Sequence, residues 1–471
     1  MHGTRNILLM LTVLLCLHHS ATAVPPNILH IVVDDLGWND VGYHGSEIPT
    51  PVIDGLAAES VVLNRFYVSP ICSPTRAGLL TGRYPFRYGI WNGVVSPSRR
   101  HGLPPEEMTT PELLADLGYQ DRVLLGKWHL GLASTKFHPL RHGFTQFYGH
   151  YNGALDYFTQ QRMGQRDWHR DYDASPDTGY TTDLIADEAV RFIQQRSSGQ
   201  PFYLVVCFNA PHSPLQSTNV ALVQAGFDAQ QPLAPNTDQR LANREGTPTY
   251  GTLGRGNTIR QTFSAMVSSL DHAIGRILSA LHRQQLTDNT LLVLHSDNGG
   301  IPEHGGSNLP LRGNKFTFWE GGVRVVAMIR WPRVLSPGTS ETVTGYVDLL
   351  PTFVSAAGGD PPRQTDGRSL LPVSKPPADQ PQRVLLLGEH TAVSQRWKLH
   401  ENEYNDLQAD PNETHPARRE DVPADIAGLL EAAIDSFPSM VGSESSTALP
   451  SPETWPPPAW KLPAERTVSG R

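Results

Sequence analysis

Residues 28–35 read ILHIVVDD, a mostly apolar run of β-favouring residues that ends in two aspartates. The same arrangement occurs three more times along the chain. Mostly apolar runs at residues 122–125, 202–208 and 291–295 lead into the polar clusters GKWH, NAPH and SDNGG. Nearly continuous apolar runs predict strands covered on both faces, as in a parallel sheet.

Helical patterns lie between these runs. Apolar residues recur at helical spacing in residues 182–196 and, more strongly, in residues 262–285. Alternating strands and helices predict an α/β fold, with a large mixed, mostly parallel sheet sandwiched by helices. Ligands of such sheets gather at the carboxyl ends of the strands. We therefore expect the four polar clusters to meet in one site.

The two ends of the chain predict an exported protein with an extra C-terminal unit. Arg5, an apolar run over residues 7–17 and the small residues Ala21-Thr22-Ala23 are typical of a signal peptide, residues 1–23. That run is too short to span a bilayer, and no later segment is long and apolar enough, so no stable membrane insertion is expected. The predicted divisions are a catalytic domain at 24–371, a proline-rich linker at 372–382, a small C-terminal α+β subdomain at 383–440 and a disordered tail at 441–471.

Within the C-terminal subdomain, residues 383–387 and 394–399 predict short strands, and residues 425–436 predict a helix. Residues 214–260 form a long polar stretch with little periodicity. This stretch is interpreted either as a substrate loop or as a mobile excursion.

The net charge and the cysteine content limit the classes of binding partner and the cellular locations that we expect for the protein. The net charge of −8 argues against a nucleic-acid partner, but it does not argue against a small anion. Of three cysteines, Cys16 lies in the signal peptide, which leaves Cys72 and Cys207. An exported protein of this size without a disulfide framework favours a bacterial source, hence a periplasmic or secreted location.

Four oxygen-bearing side chains follow two of the predicted strands: Asp34, Asp35, Asp297 and Asn298. Hard oxygen donors suit Ca²⁺ or Mg²⁺, whereas histidine and cysteine ligands would suit zinc. A single Asp-Asp pair more often caps a loop or a helix. Two such clusters after two strands favour a metal site instead.

The segment Cys72-Ser-Pro-Thr-Arg76 precedes a short helical pattern at residues 77–81, so Cys72 is predicted near a helix N-terminus. Such an end attracts anions, and a thiolate there would be stabilised by the helix dipole and by Arg76. Lys127, His129 and Lys315 add donors suited to a charged tetrahedral group. His212 follows a strand, as a general acid could. Cys207, inside an apolar run, is predicted to be structural.

Several motifs occur together in a fixed order. They are C-x-P-x-R at residues 72–76, LLTGR at 79–83, GKWHLG at 126–131, DNGG at 297–300, LRGNK at 311–315 and WEGG at 319–322. On these motifs the chain resembles the type I sulfatases of the alkaline phosphatase superfamily, over roughly residues 27–359. It looks most similar to the arylsulfatase B-like branch.

The resemblance implies that a formylglycine-generating or maturase enzyme converts Cys72 to formylglycine. One oxygen of the hydrated aldehyde would attack sulfur, and the other would later expel sulfate. The resemblance also implies one Ca²⁺ per chain. The implied metal ligands are Asp34, Asp35, Asp297 and Asn298, together with an oxygen of residue 72.

The remaining roles are implied in the same way. Arg76 and Lys127 would steady the formylglycine, while Lys127 and Lys315 would bind sulfate oxygens. Asp297 would help to deprotonate the attacking hydroxyl. His212 would protonate the departing alcohol, and His129 would assist the release of sulfate.

The substrate implied is a sulfated saccharide, either N-acetylgalactosamine 4-sulfate of chondroitin or dermatan, or an algal polysaccharide. The C-terminal part matches the family only through residues 396–399 and 406–414, and residues 214–260 look longer than usual. A phosphodiesterase or phosphonate monoester hydrolase of the same superfamily stays an alternative. So does a non-enzymatic carbohydrate-binding relative, which would be expected to lack catalytic groups.

Overall fold

The computed structural model describes residues 25–97, 99–228, 259–371 and 383–437. The predicted signal peptide, linker and tail lie outside these ranges, as do residues 229–258 of the long polar stretch and the last residues, 438–440, of the predicted C-terminal subdomain. Within the ranges given, no helix combines the length and the apolar character needed to cross a bilayer.

The α-helices of these ranges are α1 (Pro51–Ala58), α2 (Cys72–Thr81), α3 (Thr110–Asp116), α4 (Thr181–Gln194), α5 (Asn219–Gln224), α6 (Ile259–Arg283), α7 (Glu320–Val323), α8 (Leu349–Ala356) and α9 (Ala424–Asp435). Short 3₁₀ helices are Gly42–His44, Pro85–Tyr88, Thr135–Phe137, Pro139–Arg141, Thr287–Asn289, Pro302–His304, Tyr346–Asp348 and Arg419–Asp421.

The strands are β1 (Asn27–Asp34), β2 (Val61–Leu63), β3 (Phe66–Tyr67), β4 (Asp121–Lys127), β5 (Gln146–His150), β6 (Gln161–Arg162), β7 (Gln165–Arg166), β8 (His169–Arg170), β9 (Asp173–Ala174), β10 (Phe202–Pro211), β11 (Thr290–Ser296), β12 (Ala327–Arg330), β13 (Gly338–Ser340), β14 (Thr344–Gly345), β15 (Leu385–Gly388), β16 (Thr391–Val393), β17 (Trp397–His400) and β18 (Glu403–Asp406).

Ten strands form the main sheet, in the order β13-β2-β12-β11-β1-β10-β4-β5-β8-β9. Five neighbours, from β11 to β5, run parallel. Antiparallel pairing is confined to β12 with its two neighbours and to β8 with its two neighbours. The four apolar runs are four adjacent parallel strands, so the predicted mixed, mostly parallel sheet is confirmed.

Helices cover both faces of this sheet. In β1, Ile28 and Val32 belong to one hydrophobic core, and Leu29, Ile31 and Val33 belong to the other, because successive side chains point to opposite faces. Helices α2, α3 and α8 contribute to the first core, and α1, α4 and α6 to the second. The apolar stripe of α6 is buried as its helical spacing predicts.

The C-terminal unit is an antiparallel sheet, β15-β16-β17-β18, with α9 packed against it. This confirms the small α+β subdomain, while its boundaries stay a prediction. Its Leu385, Trp397 and Leu430 belong to the same core as α2 and α8. The single strand predicted at residues 394–399 is wrong in its first half, because Ser394 forms a turn that is closed by its N–H donating to the carbonyl of Trp397 at 2.8 Å.

The long polar stretch contains a helix that the sequence did not predict. Helix α5 lies within it, and Leu222 packs with Ala265 of α6 in a small core of their own. Six residues are too few to show a clear apolar period, so the pattern was missed.

Candidate active site

The four polar clusters lie at the carboxyl ends of β11, β1, β10 and β4, which are adjacent in that order in the sheet. Because the four strands are parallel, their carboxyl ends lie at one edge. The expected meeting of the clusters is therefore observed. Every residue proposed for catalysis or metal binding lies in these clusters or on the two segments that carry Cys72 and Lys315.

Asp34 is the last residue of β1, and Asp35 follows in the left-handed region with a φ of 62°. Consecutive residues of an extended strand would point to opposite faces. The left-handed turn at Asp35 ends that alternation, and aspartate is among the residues that tolerate this conformation. Both carboxylates are consequently buried at the same sheet edge.

Two overlapping sets of side chains are close enough to bind one metal ion. Atoms of Asp34, Cys72 and Asp297 lie within 4.8 Å of one another, as do atoms of Asp34, Asp35 and His212. Among the described residues, no hydrogen-bond donor reaches three buried oxygens of this region: Asp34 Oδ1, Asp35 Oδ2 and Asn298 Oδ1. Buried acceptors normally have a partner. Oxygen atoms left in this way fit a hard cation such as Ca²⁺.

The pKa values of Asp34 and Asp35 are shifted in opposite directions. Burial, with the negative charge of Asp297, raises the pKa of Asp34 to about 7, although Lys127 opposes this shift. Burial would also raise the pKa of Asp35, but Lys315 and then His212 outweigh it and hold that pKa well below its usual range. A cation beside Asp34 would compensate the charge that burial and Asp297 make unfavourable.

Each buried cation of the site contacts one carboxylate. Lys127 pairs with Asp34, and Lys315 Nζ lies 2.6 Å from Asp35 Oδ1. Arg76 contacts Asp297 Oδ2 through Nε at 2.9 Å and Nη2 at 2.8 Å. The two lysines flank the aspartates that follow β1. Arg76 also donates from Nη1 to the carbonyl oxygen of Lys127 at 3.1 Å, which ties α2 to the end of β4.

Cys72 is the first residue of α2, as predicted, and it is buried. The expectation of a stabilised thiolate is wrong. Burial raises the pKa of the Cys72 thiol, and although Lys127 and Lys315 oppose this, Asp297 and Asp34 add to it. Arg76 is paired with Asp297 instead. An unmodified thiol here is therefore held in its neutral, poorly nucleophilic form.

His129 lies two residues after the end of β4, in the left-handed region, with a φ of 59°. Its ring packs on Gly153, where an added Cβ would stand 2.3 Å from His129 Cε1, so a larger residue at position 153 would force the ring to shift. The hydroxyl of Ser73 donates to the His129 carbonyl at 2.9 Å, which joins this residue to α2. Burial, then Lys127 and Arg76, hold the pKa of His129 well below its usual range.

His212 Nε2 lies 3.6 Å from Asp35 Oδ2, and His212 Nδ1 lies 2.5 Å from the carbonyl oxygen of Ser213. The imidazole is partly exposed to solvent. Burial lowers the pKa of His212 and Asp35 opposes this. When Nδ1 carries a proton and donates to Ser213, Nε2 is the atom that faces the site.

Sequence reasoning missed a buried charged cluster behind the segment that carries Lys315. Lys398 Nζ lies 3.1 Å from Glu320 Oε1 and 2.8 Å from Glu413 Oε1. The backbone N–H of Glu320 donates to Glu413 Oε2 at 2.6 Å. Arg312 donates to the Glu413 carbonyl at 2.7 Å. The feature of the sequence that could have indicated this cluster was the partial family match at residues 396–399 and 406–414.

Cys207 lies inside β10 and is buried, in line with its structural interpretation. Burial raises its pKa to about 11. Cys72 and Cys207 are both free thiols, and they are the only cysteines within the described residues.

Comparisons with known proteins give matches to one family. The family model described as Sulfatase matches residues 26–359. The arylsulfatase J of Mus musculus is 34% identical, over 73% of this chain and 54% of its own. The N-acetylgalactosamine-6-sulfatase of Homo sapiens is also 34% identical, over 75% and 66%. This chain thus spans between about half and two thirds of these two relatives.

Solved structures agree on the fold. The crystal structure of Ps i-CgsB in complex with k-i-k-neocarrahexaose superposes with a TM-score of 0.74 at 28% identity. The superposition covers 88% of this chain and 92% of the other.

Proposed function

This chain belongs to the sulfatase family, and from that premise we propose that it hydrolyses sulfate esters of a sulfated carbohydrate. One observation carries the proposal. Cys72 lies at the buried N-terminus of a helix, with its sulfur within 4.8 Å of carboxylate oxygens of Asp34 and Asp297. Residue 72 is therefore close enough to both carboxylates to share one metal ion with them.

Formylglycine at position 72 would supply a hydrated aldehyde, with two hydroxyl groups on one carbon. The helix N-terminus favours negative charge developing there. Asp297, whose carboxylate oxygen lies within 4.8 Å of Cys72 Sγ, would accept a proton from residue 72. Arg76 holds that carboxylate in place through two contacts, so Arg76 orients the base.

Ca²⁺, when bound, would supply positive charge to the sulfate and to the reacting oxygen. The oxygens proposed to hold it come from Asp34, Asp35, Asp297 and Asn298. Lys127 and Lys315 would bind sulfate oxygens, because their ammonium groups flank the same carboxylates. Substrate binding would then exchange part of each lysine–aspartate contact for a contact with sulfate.

His212 would hold a proton at Nε2 and give it to the alcohol that leaves. Burial works against that protonated form, whereas Asp35 and the negative charge of a bound sulfate ester favour it. His129, which is held against Gly153, is proposed to assist the release of sulfate.

The substrate class rests on what related proteins are named for. One relative is named for N-acetylgalactosamine 6-sulfate, and one structural neighbour is described in complex with a neocarrahexaose. We propose a sulfated galactosamine or galactan unit, with N-acetylgalactosamine 4-sulfate among the candidates. We also propose export to the periplasm or the medium, with a formylglycine-generating or maturase enzyme as partner.

The test is sulfate release, by ion chromatography, from N-acetylgalactosamine 4-sulfate, N-acetylgalactosamine 6-sulfate, chondroitin, dermatan and carrageenan oligosaccharides. Phosphodiesters and phosphonate monoesters are assayed in parallel, and Cys72→Ala serves as the matched control. We expect sulfate release from at least one saccharide and none from the control. Turnover confined to the phosphorus esters, or equal turnover by Cys72→Ala, would exclude the proposal.

A further inference from the structure

Phe316 follows Lys315 directly and presents an aromatic ring to solvent beside the site. Its side chain is 62% exposed, although Lys315 next to it is buried. The ring centroid lies 5.5 Å from Lys315 Nζ, and that same Nζ contacts Asp35 Oδ1 at 2.6 Å. An exposed apolar surface therefore borders the position proposed for sulfate.

The backbone of Phe316 is in a conformation that favours glycine. Residues 314–317 form a turn in which the N–H of Thr317 donates to the Asn314 carbonyl at 3.0 Å. Phe316 is the third residue of this turn, and its φ is 75°. A left-handed third position normally carries glycine, and a bulky residue there is an outlier.

The turn itself positions Lys315. It directs the lysine into the site, while the N–H of Phe316 donates to the carbonyl of Pro70 at 2.8 Å, two residues before Cys72. Glycine would form the same turn without strain. The phenyl group adds no hydrogen bond to the turn and, being exposed, adds little packing. Strained residues that persist in this way are concentrated at functional sites.

We propose that Phe316 is a specificity-determining residue, whose exposed ring packs against the apolar C–H face of the saccharide that carries the sulfate. The proposal rests on the proposed function. A sulfate held by Lys127 and Lys315 brings the attached sugar to the rim beside this ring. Aromatic rings provide large, rigid contact area for one apolar face of a ligand while polar groups fix its orientation.

The decisive variant is Phe316→Gly, which removes the ring and suits the backbone. We expect its thermal midpoint to be no lower than that of the parent. For a sulfated mono- or disaccharide we expect kcat/KM to fall about tenfold, mostly through KM, as expected for the loss of one aromatic contact face. Inhibition by inorganic sulfate should be unchanged, since a free anion does not need the ring. Phe316→Trp should retain saccharide turnover.

Gln285→Gly is the matched control. Gln285 is also exposed and left-handed, with a φ of 58°, but it lies before β11, at the opposite end of the sheet. It should alter neither KM nor sulfate inhibition.

An unchanged saccharide KM in Phe316→Gly would overturn the proposal. So would an equal loss of sulfate inhibition, because the ring would then act by supporting Lys315. A parent protein that releases sulfate from no saccharide would refute the proposed function together with this inference. An active parent protein whose saccharide KM is unchanged in Phe316→Gly would refute only the inference.

Discussion

Lys398 and Glu320 form a fully buried ion pair, with Nζ 3.1 Å from Oε1, that joins the C-terminal sheet to the segment carrying Lys315. Glu413 shares the same ammonium group at 2.8 Å. Burial raises the pKa of Glu413 despite Lys398, whereas Lys398, followed by Arg324, outweighs burial and lowers the pKa of Glu320. The Lys398 ammonium group thus contacts both buried carboxyl groups, and Arg324 lies near Glu320 as a second cation.

Replacing Lys398 with Met should leave both carboxyl groups without that cation. We expect the free energy of unfolding at neutral pH to fall by about 3–5 kcal/mol, the usual cost of an uncompensated buried charge. In the variant, the folded pKa of Glu413 would lie still further above its unfolded value, and the folded pKa of Glu320 would rise from its lowered value, although Arg324 stays near Glu320. The variant's stability deficit should therefore grow as the pH rises through the acid range and shrink as the pH falls.

Denaturant unfolding at several pH values measures this effect. Arg418→Met is the matched control, since it removes an exposed cation 3.0 Å from Asp421, and its unfolding curve should match the parent's. A Lys398→Met protein as stable as the parent at neutral pH would contradict the prediction.

Cys72 should be found as formylglycine in active protein. Cys72→Ala should abolish turnover while the fold is retained, and Cys72→Ser should also fail, because a single hydroxyl has no second oxygen to expel sulfate. Peptide mass spectrometry across residues 70–76, combined with sulfate-release assays, checks both points. Full activity of a sample whose Cys72 is wholly unmodified would refute this role.

Metal analysis of active protein should find about one Ca²⁺ per chain, in line with the oxygen donors at the site. Removing it with a chelator should lower the thermal midpoint, because a ligand at about 100 times its Kd stabilises the native state by about 2.7 kcal/mol. Added Ca²⁺ should restore the midpoint. Stoichiometric zinc whose binding is lost in His212→Ala would contradict the calcium assignment.

His212→Ala should slow hydrolysis of saccharide sulfates by about 10²-fold or more, since a poorly acidic alcohol needs protonation as it leaves. Activated aryl sulfates need little protonation and should be much less affected. The kcat values for both substrate types measure the difference. His272→Ala, at an exposed histidine of α6, should leave both unchanged. Equal losses with both substrates would argue against a general acid.

Gly153→Ala should displace the His129 ring, because the new methyl group would lie 2.3 Å from Cε1. We expect reduced turnover with the calcium content retained. Gly428→Ala is the control: apart from the adjacent residues and the nearby backbone of α9 itself, no atom lies within 4 Å of the added group. Thermal unfolding should show Gly428→Ala stabilised by about 0.5–1 kcal/mol, as is usual for a helix interior. Unchanged turnover in Gly153→Ala would show that the ring can move without consequence.

The strands, helices and site motifs that depend on neighbouring residues could be predicted from the sequence. The strand that ends at Asp34 and the helix that contains Met266 have clear periodicity, and the motifs around Cys72 and Lys315 placed the site residues. The contact between Lys398 and Glu320 joins positions 78 residues apart in the chain, and the local pattern around either residue does not show which distant segment it meets. The left-handed conformation of Phe316 contradicts its residue type, so a residue-by-residue prediction could not find it.

Burial explains the error at Cys72. The sequence shows that a helix begins there and that Arg76 follows one turn later, and both features favour a thiolate. The sequence does not show that the thiol is enclosed, or that Arg76 turns to Asp297.

The hydrophobic core shared by α2, α8 and the C-terminal sheet bears on fragment complementation. Cleavage of the backbone between residues 371 and 383 would leave two pieces whose apolar side chains pack together in this one core. Separately, each would expose core side chains such as Leu385 or Phe353 to water. Mixed together, they should associate into one particle, and the intact backbone would contribute chiefly by raising the effective concentration of one piece near the other.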